Sequence, residues 1–124
     1  MAKINLAITG CLGRMGRQLI KTAVKDRSVK IVSLTENTFL NKKISGIYLE
    51  KNSEKAFHNA HVIIDFTSPK CTFEVLKIAS KLKNKVVIGT TGFSTTEENH
   101  IKKFSNKISI LKAGNMSLGI NLLM

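Results

Sequence analysis

The 124-residue chain has no tryptophan, one tyrosine, one proline and two cysteines. Cys11 and Cys71 are too few for a disulfide framework and read as free thiols of a reducing compartment. Neither stands at metal-ligand spacing from His58, His61 or His100, so no metal site is expected. Those histidines read as surface residues or strand flanks. No apolar run approaches the roughly 20 residues needed to span a bilayer, and no membrane partner is expected. Acid is scarce: 8 Asp and Glu stand against 20 Lys and Arg, a net charge of +12. Such a balance raises nucleic-acid binding as one reading. Yet the lysines are scattered, arginine numbers three and aromatics make up 6% of the chain. Single-strand binders interleave aromatic with basic side chains, so no nucleic-acid partner is expected. A positive field favours small anionic ligands instead. Met1-Ala2-Lys3 leads straight into an apolar run without a signal-peptide pattern, which sets a cytoplasmic expectation.

Glycine is present where it carries information. Ile4 to Thr9 reads as a buried strand and runs into Gly10-Cys11-Leu12-Gly13-Arg14-Met15-Gly16. Glycines three apart allow a tight turn and a close backbone approach to a bulky anion. An amphipathic run follows, Met15-Leu19-Ile20-Ala23-Val24, at helical spacing. A helix starting there aims its free N–H groups and positive dipole end at that anion. A second strand, Val29 to about Thr35, ends beside Glu36, twenty positions after Gly16. That is where a dinucleotide-binding unit places the carboxylate that holds the adenosine ribose. Cys11 in the turn has two readings, a thiol activated by the helix terminus or a small tolerated residue, and the second is preferred.

The rest alternates between strands and helices. Helices are expected over 14–26, 54–59, from Ser68-Pro69 to Leu82, and from the Ser94-Thr95-Thr96-Glu97 capping box to about Ser105. Strands are expected over 47–49, 62–66, 85–88 and 108–111, with a polar loop from Asn37 to about Gly46. Asp65 reads as a strand-end turn residue rather than a catalyst. This order implies an α/β fold, a Rossmann-type doubly wound parallel sheet forming a single domain over 1–124. Gly10, Glu36, Phe66-Thr67, Gly89 to Gly92 and Ala113 to Met116 all follow strands, so they are expected in one crevice.

Four segments, Gly10 to Gly16 with Arg14-Met15, Ile64-Asp65-Phe66-Thr67, Val87 to Phe93, and Ala113-Gly114-Asn115-Met116-Ser117-Leu118-Gly119, together resemble the 4-hydroxy-tetrahydrodipicolinate (dihydrodipicolinate) reductase family of bacterial lysine and diaminopimelate synthesis. The resemblance covers essentially the whole chain in order. It implies an oxidoreductase that reduces a cyclic dicarboxylate with hydride from NADH or NADPH. By it, Gly10, Cys11, Leu12, Gly13, Arg14 and Met15 hold the pyrophosphate and Glu36 accepts the ribose hydroxyls. Gly89, Thr90, Thr91, Ala113, Gly114, Asn115 and Met116 line the nicotinamide side, with Phe66-Thr67 a weaker candidate. Arg14 is either a phosphate contact or a solvated helix-start cation.

Two departures qualify the resemblance. Some members carry an arginine directly after the ribose-binding acid, where it pairs with the 2′-phosphate of NADPH. Here Asn37 stands in that place, so NADH is expected to be preferred, with Lys42 or Lys43 the cation that would reverse this. The family's second domain, with its histidine-rich segment and substrate loop, has no counterpart before Met124. The catalytic residues are therefore expected beyond Met124, the chain alone is expected to bind cofactor without turnover, and the homo-oligomer implied for full-length members cannot be read from it. A non-catalytic nucleotide-binding module, or the product of a decayed truncated gene, is the alternative reading; a basic nucleic-acid-binding domain ranks below it.

Overall fold

The computed structural model describes residues 3–38 and 41–112. Its elements are β1 (Ile4–Thr9), α1 (Arg14–Val24), β2 (Val29–Thr35), β3 (Lys43–Ile44), β4 (Ile47–Glu50), α2 (Glu54–Phe57), β5 (Val62–Asp65), α3 (Pro69–Leu82), β6 (Lys85–Ile88), α4 (Thr95–Phe104) and β7 (Ile110–Lys112). Among the described residues they form one sheet in the order β3-β4-β2-β1-β5-β6-β7. Every pairing is parallel except β3 with β4. The chain winds outward in one direction from β1 and in the other from β5, so the strand order reverses between these two neighbours.

The period-2 alternation of each strand sorts its side chains onto two faces. Leu6, Ile8, Val62, Ile64 and Val87 pack with Leu19, Ile20 and Ala23 of α1 in one core. Ala7, Ile63, Val86 and Ile88 pack with Phe57 of α2, Val75, Leu76 and Ala79 of α3 and Ile101 of α4 in the other. Helices therefore cover both faces, which is the doubly wound Rossmann-type arrangement expected from the alternating pattern.

The local signals operate as chemistry. Ser68 caps α3 by accepting the Cys71 N–H, with Pro69 in the first turn. Ser94 and Glu97 form both bonds of a capping box at α4. Several boundaries differ from expectation, among them α2, which ends at Phe57 rather than 59, and β4, which runs on to Glu50. The 37–46 loop contains β3, because Ser45 (φ 51) and Gly46 (φ 83) turn the chain back as a tight hairpin onto β4. Helix α1 stops at Val24, with Lys25 as its C-cap, and β5 ends at Asp65. The last strand begins at Ile110 rather than 108, since the Ile108 N–H donates to the Phe104 carbonyl (3.2 Å) and extends the helix terminus instead of joining the sheet.

Candidate functional site

Parallel register lines up the strand ends. Thr9 is paired with Thr35 on one side and Asp65 on the other, and Asp65 is paired with Ile88. The residues that follow, Glu36, Gly10, Phe66 and Gly89, thus leave the same edge of the sheet on four consecutive strands. Neighbouring strands lie about 4.8 Å apart, so the row spans the point where the strand order reverses. Ligands of open α/β sheets bind there.

The turn after β1 is built around close approach. Gly10 has φ +68, and a Cβ on it would lie 2.6 Å from the Phe66 carbonyl oxygen. Gly16, in the first turn of α1, is packed so tightly that a Cβ would stand 2.2 Å from the Gly10 oxygen. The backbone of this turn is largely committed. Gly10 and Cys11 donate their N–H groups to the Thr35 carbonyl (3.1 and 3.3 Å), and Gly13 donates to Gly10 (3.0 Å). Leu12 donates to the Glu36 carboxylate (3.0 Å). The first helical bond runs from Arg17 to Gly13 (3.0 Å). Arg14, Met15 and Gly16 are left with N–H groups that have no acceptor among the described residues. Gly13 caps the helix without a side chain, and no acidic residue lies in the first turn. Three free donors, a positive dipole end and a bare glycine fit the diphosphate of a dinucleotide.

Arg14 and Gly13 are exposed and Met15 is 40% exposed, which leaves them open to a ligand. Cys11 differs. It is fully buried in the α1-side core, so its side chain does not face the crevice. Burial, and next the negative field of Glu36, push its thiol up to about 11, so it is the small neutral residue of the two sequence readings. Leu12 is half-buried and packs on the same core.

Glu36 is held in place from several sides. Its N–H donates to the Glu50 carbonyl of β4 (3.0 Å), one carboxylate oxygen accepts from Leu12, and the other accepts from the Asn37 N–H (3.0 Å). A carboxylate has about four lone-pair sites, so two remain for ribose hydroxyls. The Asn37 side-chain amide is turned toward the Cys71 sulfur (3.0 Å). Lys43 lies over the Tyr48 ring, 5.2 Å from its centroid, on the β3–β4 hairpin. The positive field of Lys42, by contrast, reaches the Cys11 thiol.

On the opposite side of the switch point, the half-buried Phe66 ring lies against Gly89, so that a Cβ there would fall 1.9 Å from it and the ring would have to move. Thr90 is buried, and Thr91 and Gly92 are exposed. The Thr67 N–H donates to the Thr90 hydroxyl (2.9 Å), joining the two loops. Ala113, Gly114, Asn115 and Met116 lie outside the described residues; Lys112 just before them is paired with Ile88 of β6.

Asp65 is more than the strand-end turn residue it reads as in sequence. It is fully buried and gathers hydroxyl donors from four segments. Thr9 (2.5 Å) and Thr67 (2.6 Å) donate to one carboxylate oxygen; Thr72 and Thr90 (3.2 Å) donate to the other. Sequence reading missed Thr9 and Thr72 altogether. The available signal was a carboxylate ending the otherwise apolar strand Val62-Ile63-Ile64, with threonines ending or closely following three strands. His61 flanks a strand, its Nδ1 accepting the Asn5 N–H (2.8 Å), and His100 stacks on Phe73 with ring centroids 4.9 Å apart. No helix among the described residues is long and apolar enough to cross a membrane.

At the level of sequence, comparison with known proteins points to one family. The family described as "Dihydrodipicolinate reductase, N-terminus" matches residues 4–116. A 4-hydroxy-tetrahydrodipicolinate reductase of Pelagibacter ubique is 64% identical over 124 residues, covering 100% of this chain and 48% of that protein. One from Buchnera aphidicola subsp. Acyrthosiphon pisum is 39% identical over 132 residues, covering 98% of this chain and 49% of its own length. The chain thus spans about half the length of the curated relatives it matches. Among solved structures, a dipicolinate-bound dihydrodipicolinate reductase from Paenisporosarcina sp. TG-14 superposes with a TM-score of 0.75 at 22% identity, over 90% of this chain and 47% of that one. A Myxococcus stipitatus imine reductase variant in complex with NAD+ gives 0.67 at 18% identity, over 89% and 39%. At these identities the two structures speak to the fold alone.

Proposed function

The chain belongs to the dihydrodipicolinate reductase family, and from that premise we propose that residues 1–124 form the NAD(P)-binding Rossmann domain of a 4-hydroxy-tetrahydrodipicolinate reductase. The observation that carries the proposal is the placement, on neighbouring strand ends, of three N–H groups at the start of α1 that have no acceptor among the described residues and of the Glu36 carboxylate. When bound, the reduced dinucleotide supplies a hydride. The residues of this chain bind and orient it. Arg14, Met15 and Gly16 donate to the diphosphate, Glu36 takes the ribose hydroxyls, and Gly89, Thr90 and Thr91 back the nicotinamide end, joined there by Ala113, Gly114, Asn115 and Met116.

NADH is the preferred form in this reading. Glu36 repels a 2′-phosphate, and Asn37 beside it is neutral and engaged with Cys71. The substrate is a small cyclic dicarboxylate of lysine and diaminopimelate synthesis. The protein works in the cytoplasm as part of a homo-oligomer, without a nucleic-acid partner. The residues that touch substrate lie outside this segment, so the 124-residue chain binds cofactor and reduces nothing by itself.

Calorimetric titration of the purified chain with NADH and NADPH tests the binding half of this proposal. Saturable NADH binding tighter than NADPH supports it; no binding of either dinucleotide overturns it. A reductase assay on the same material tests the other half, and measurable turnover would refute the assignment of catalysis elsewhere. Salt-dependent binding to DNA without dinucleotide binding would move the protein to the nucleic-acid reading.

A further inference from the structure

Asp65 stands out among the buried groups because, among the described residues, no ion pair accompanies it. It is fully buried. The ion pairs among the described residues are Lys81–Glu54 and Lys112–Glu98, and neither involves it. Burying a carboxylate without a cation costs stability. Here the cost is offset by hydroxyls alone, from Thr9, Thr67, Thr72 and Thr90. An ionised carboxylate is acceptor-only, and here it accepts one hydrogen bond from each of four hydroxyls, two per oxygen. The Thr67 N–H completes the set by donating to Thr90, and the Gly89 N–H donates to the Asp65 carbonyl (2.8 Å).

Its place in the sheet gives this arrangement a direction. With Glu36 after β2 on the adenosine side and the glycine turn after β1 at the diphosphate, the nicotinamide end falls over the ends of β5 and β6. Asp65 ends β5 and is in register with Ile88, which ends β6. One of its hydroxyl donors, Thr90, belongs to the loop read as backing the ring. The two forms of the cofactor differ in charge there: the oxidised ring is a pyridinium cation, the reduced ring is neutral.

We propose that Asp65 is a positioning residue that fixes Thr90 and places a buried negative charge beneath the nicotinamide end, favouring the oxidised over the reduced cofactor. The inference rests on the dinucleotide-binding reading above. It predicts that removing the charge weakens NAD+ more than NADH, whereas removing one hydroxyl weakens both alike.

The test is calorimetric titration of the chain with NAD+ and with NADH, for wild type, Asp65→Asn, Asp65→Ser and Thr72→Val, each checked by circular dichroism. The expected result is a rise of about tenfold in the ratio Kd(NAD+)/Kd(NADH) in either neutral variant, the scale of one partly screened charge several ångströms from the ring. In Thr72→Val the ratio stays at the wild-type value. An unchanged ratio in the folded neutral variants overturns the proposal and leaves dinucleotide binding intact. An equal rise in Thr72→Val, or loss of the fold in both Asp65 variants, also overturns it, leaving Asp65 a structural residue. Failure of the wild-type chain to bind either form refutes the underlying reading, and this proposal with it.

Discussion

The carboxylate of Glu36 accepts the backbone N–H of Leu12 at 3.0 Å, tying the end of β2 to the glycine turn that follows β1. The residue read as the ribose acceptor therefore also shapes the turn read as the diphosphate cradle. Hydrogen bonds to a charged acceptor contribute roughly 1.5–3 kcal/mol each. Glu36→Ala removes the ribose acceptor and frees Leu12 at once, so the NADH Kd is expected to rise by about tenfold or more. Titration of the variant checks this, and an unchanged Kd would remove Glu36 from the site.

Gly16→Ala separates propensity from packing. In an exposed helix the change would add up to about 1 kcal/mol of stability. Here the new methyl would stand 2.2 Å from the Gly10 oxygen and 2.8 Å from the Cys11 Cα, both backbone atoms that do not yield cheaply. Denaturant melts are expected to show destabilisation on the order of 2 kcal/mol or more, together with lost NADH binding. A stabilised variant would mean that the turn and α1 are not in such contact.

Cys11 supplies a pH signature. Its thiol is pushed up to about 11 by burial and by Glu36, from an ordinary value of 9.0. Between these values the unfolded chain has lost the proton and the folded chain keeps it. Stability attributable to this group is thus full below about pH 9 and falls as pH rises toward 11, by on the order of 2 kcal/mol. Comparing wild type with Cys11→Ala in denaturant melts across that window reads the difference. At pH 8 the native thiol is expected to resist alkylation until the protein unfolds.

Cofactor choice is open to a single substitution. Lys42, whose carbonyl accepts the Leu49 N–H (3.0 Å) beside the β3–β4 hairpin, is one of the two cations read from the sequence as the partner of a 2′-phosphate. Lys42→Ala is expected to weaken NADPH several-fold, by the loss of about 1 kcal/mol of exposed charge–phosphate attraction, while leaving NADH unchanged. Equal effects on both dinucleotides would show that Lys42 does not see the 2′-phosphate.

Ser33 offers the opposite kind of test. It is 1% exposed in β2, and its hydroxyl has no partner among the described residues. A buried hydroxyl without a hydrogen bond destabilises the fold. Ser33→Ala is therefore expected to raise stability by about 1 kcal/mol, read as a higher denaturation midpoint with an unchanged slope. A lower midpoint would reveal a hydrogen bond to this hydroxyl.

What the sequence determined by itself was local or periodic. Alternating apolar residues in Ile4–Thr9 and Val62–Asp65, the Ser68-Pro69 and Ser94-Glu97 caps, and the three-residue spacing of the glycines at 10, 13 and 16 are each signals contained within a few residues, so the strands, the helices and the glycine turn between β1 and α1 were legible. Glu36 was legible too, because its distance from the glycine turn is set by one helix and one strand. Other features depended on partners far along the chain. The β3 strand exists because Ser45 and Gly46 fold a two-residue edge onto β4, and Ile108 left the last strand for the end of α4. The space beside Gly89 is filled by the ring of Phe66, 23 positions away. Asp65 became a hub only when β1, β5, α3 and the loop after β6 brought Thr9, Thr67, Thr72 and Thr90 around it. Hydrogen bonds between segments up to 56 residues apart leave no spacing rule in the chain. The tertiary structure alone decides which hydroxyl meets which carboxylate.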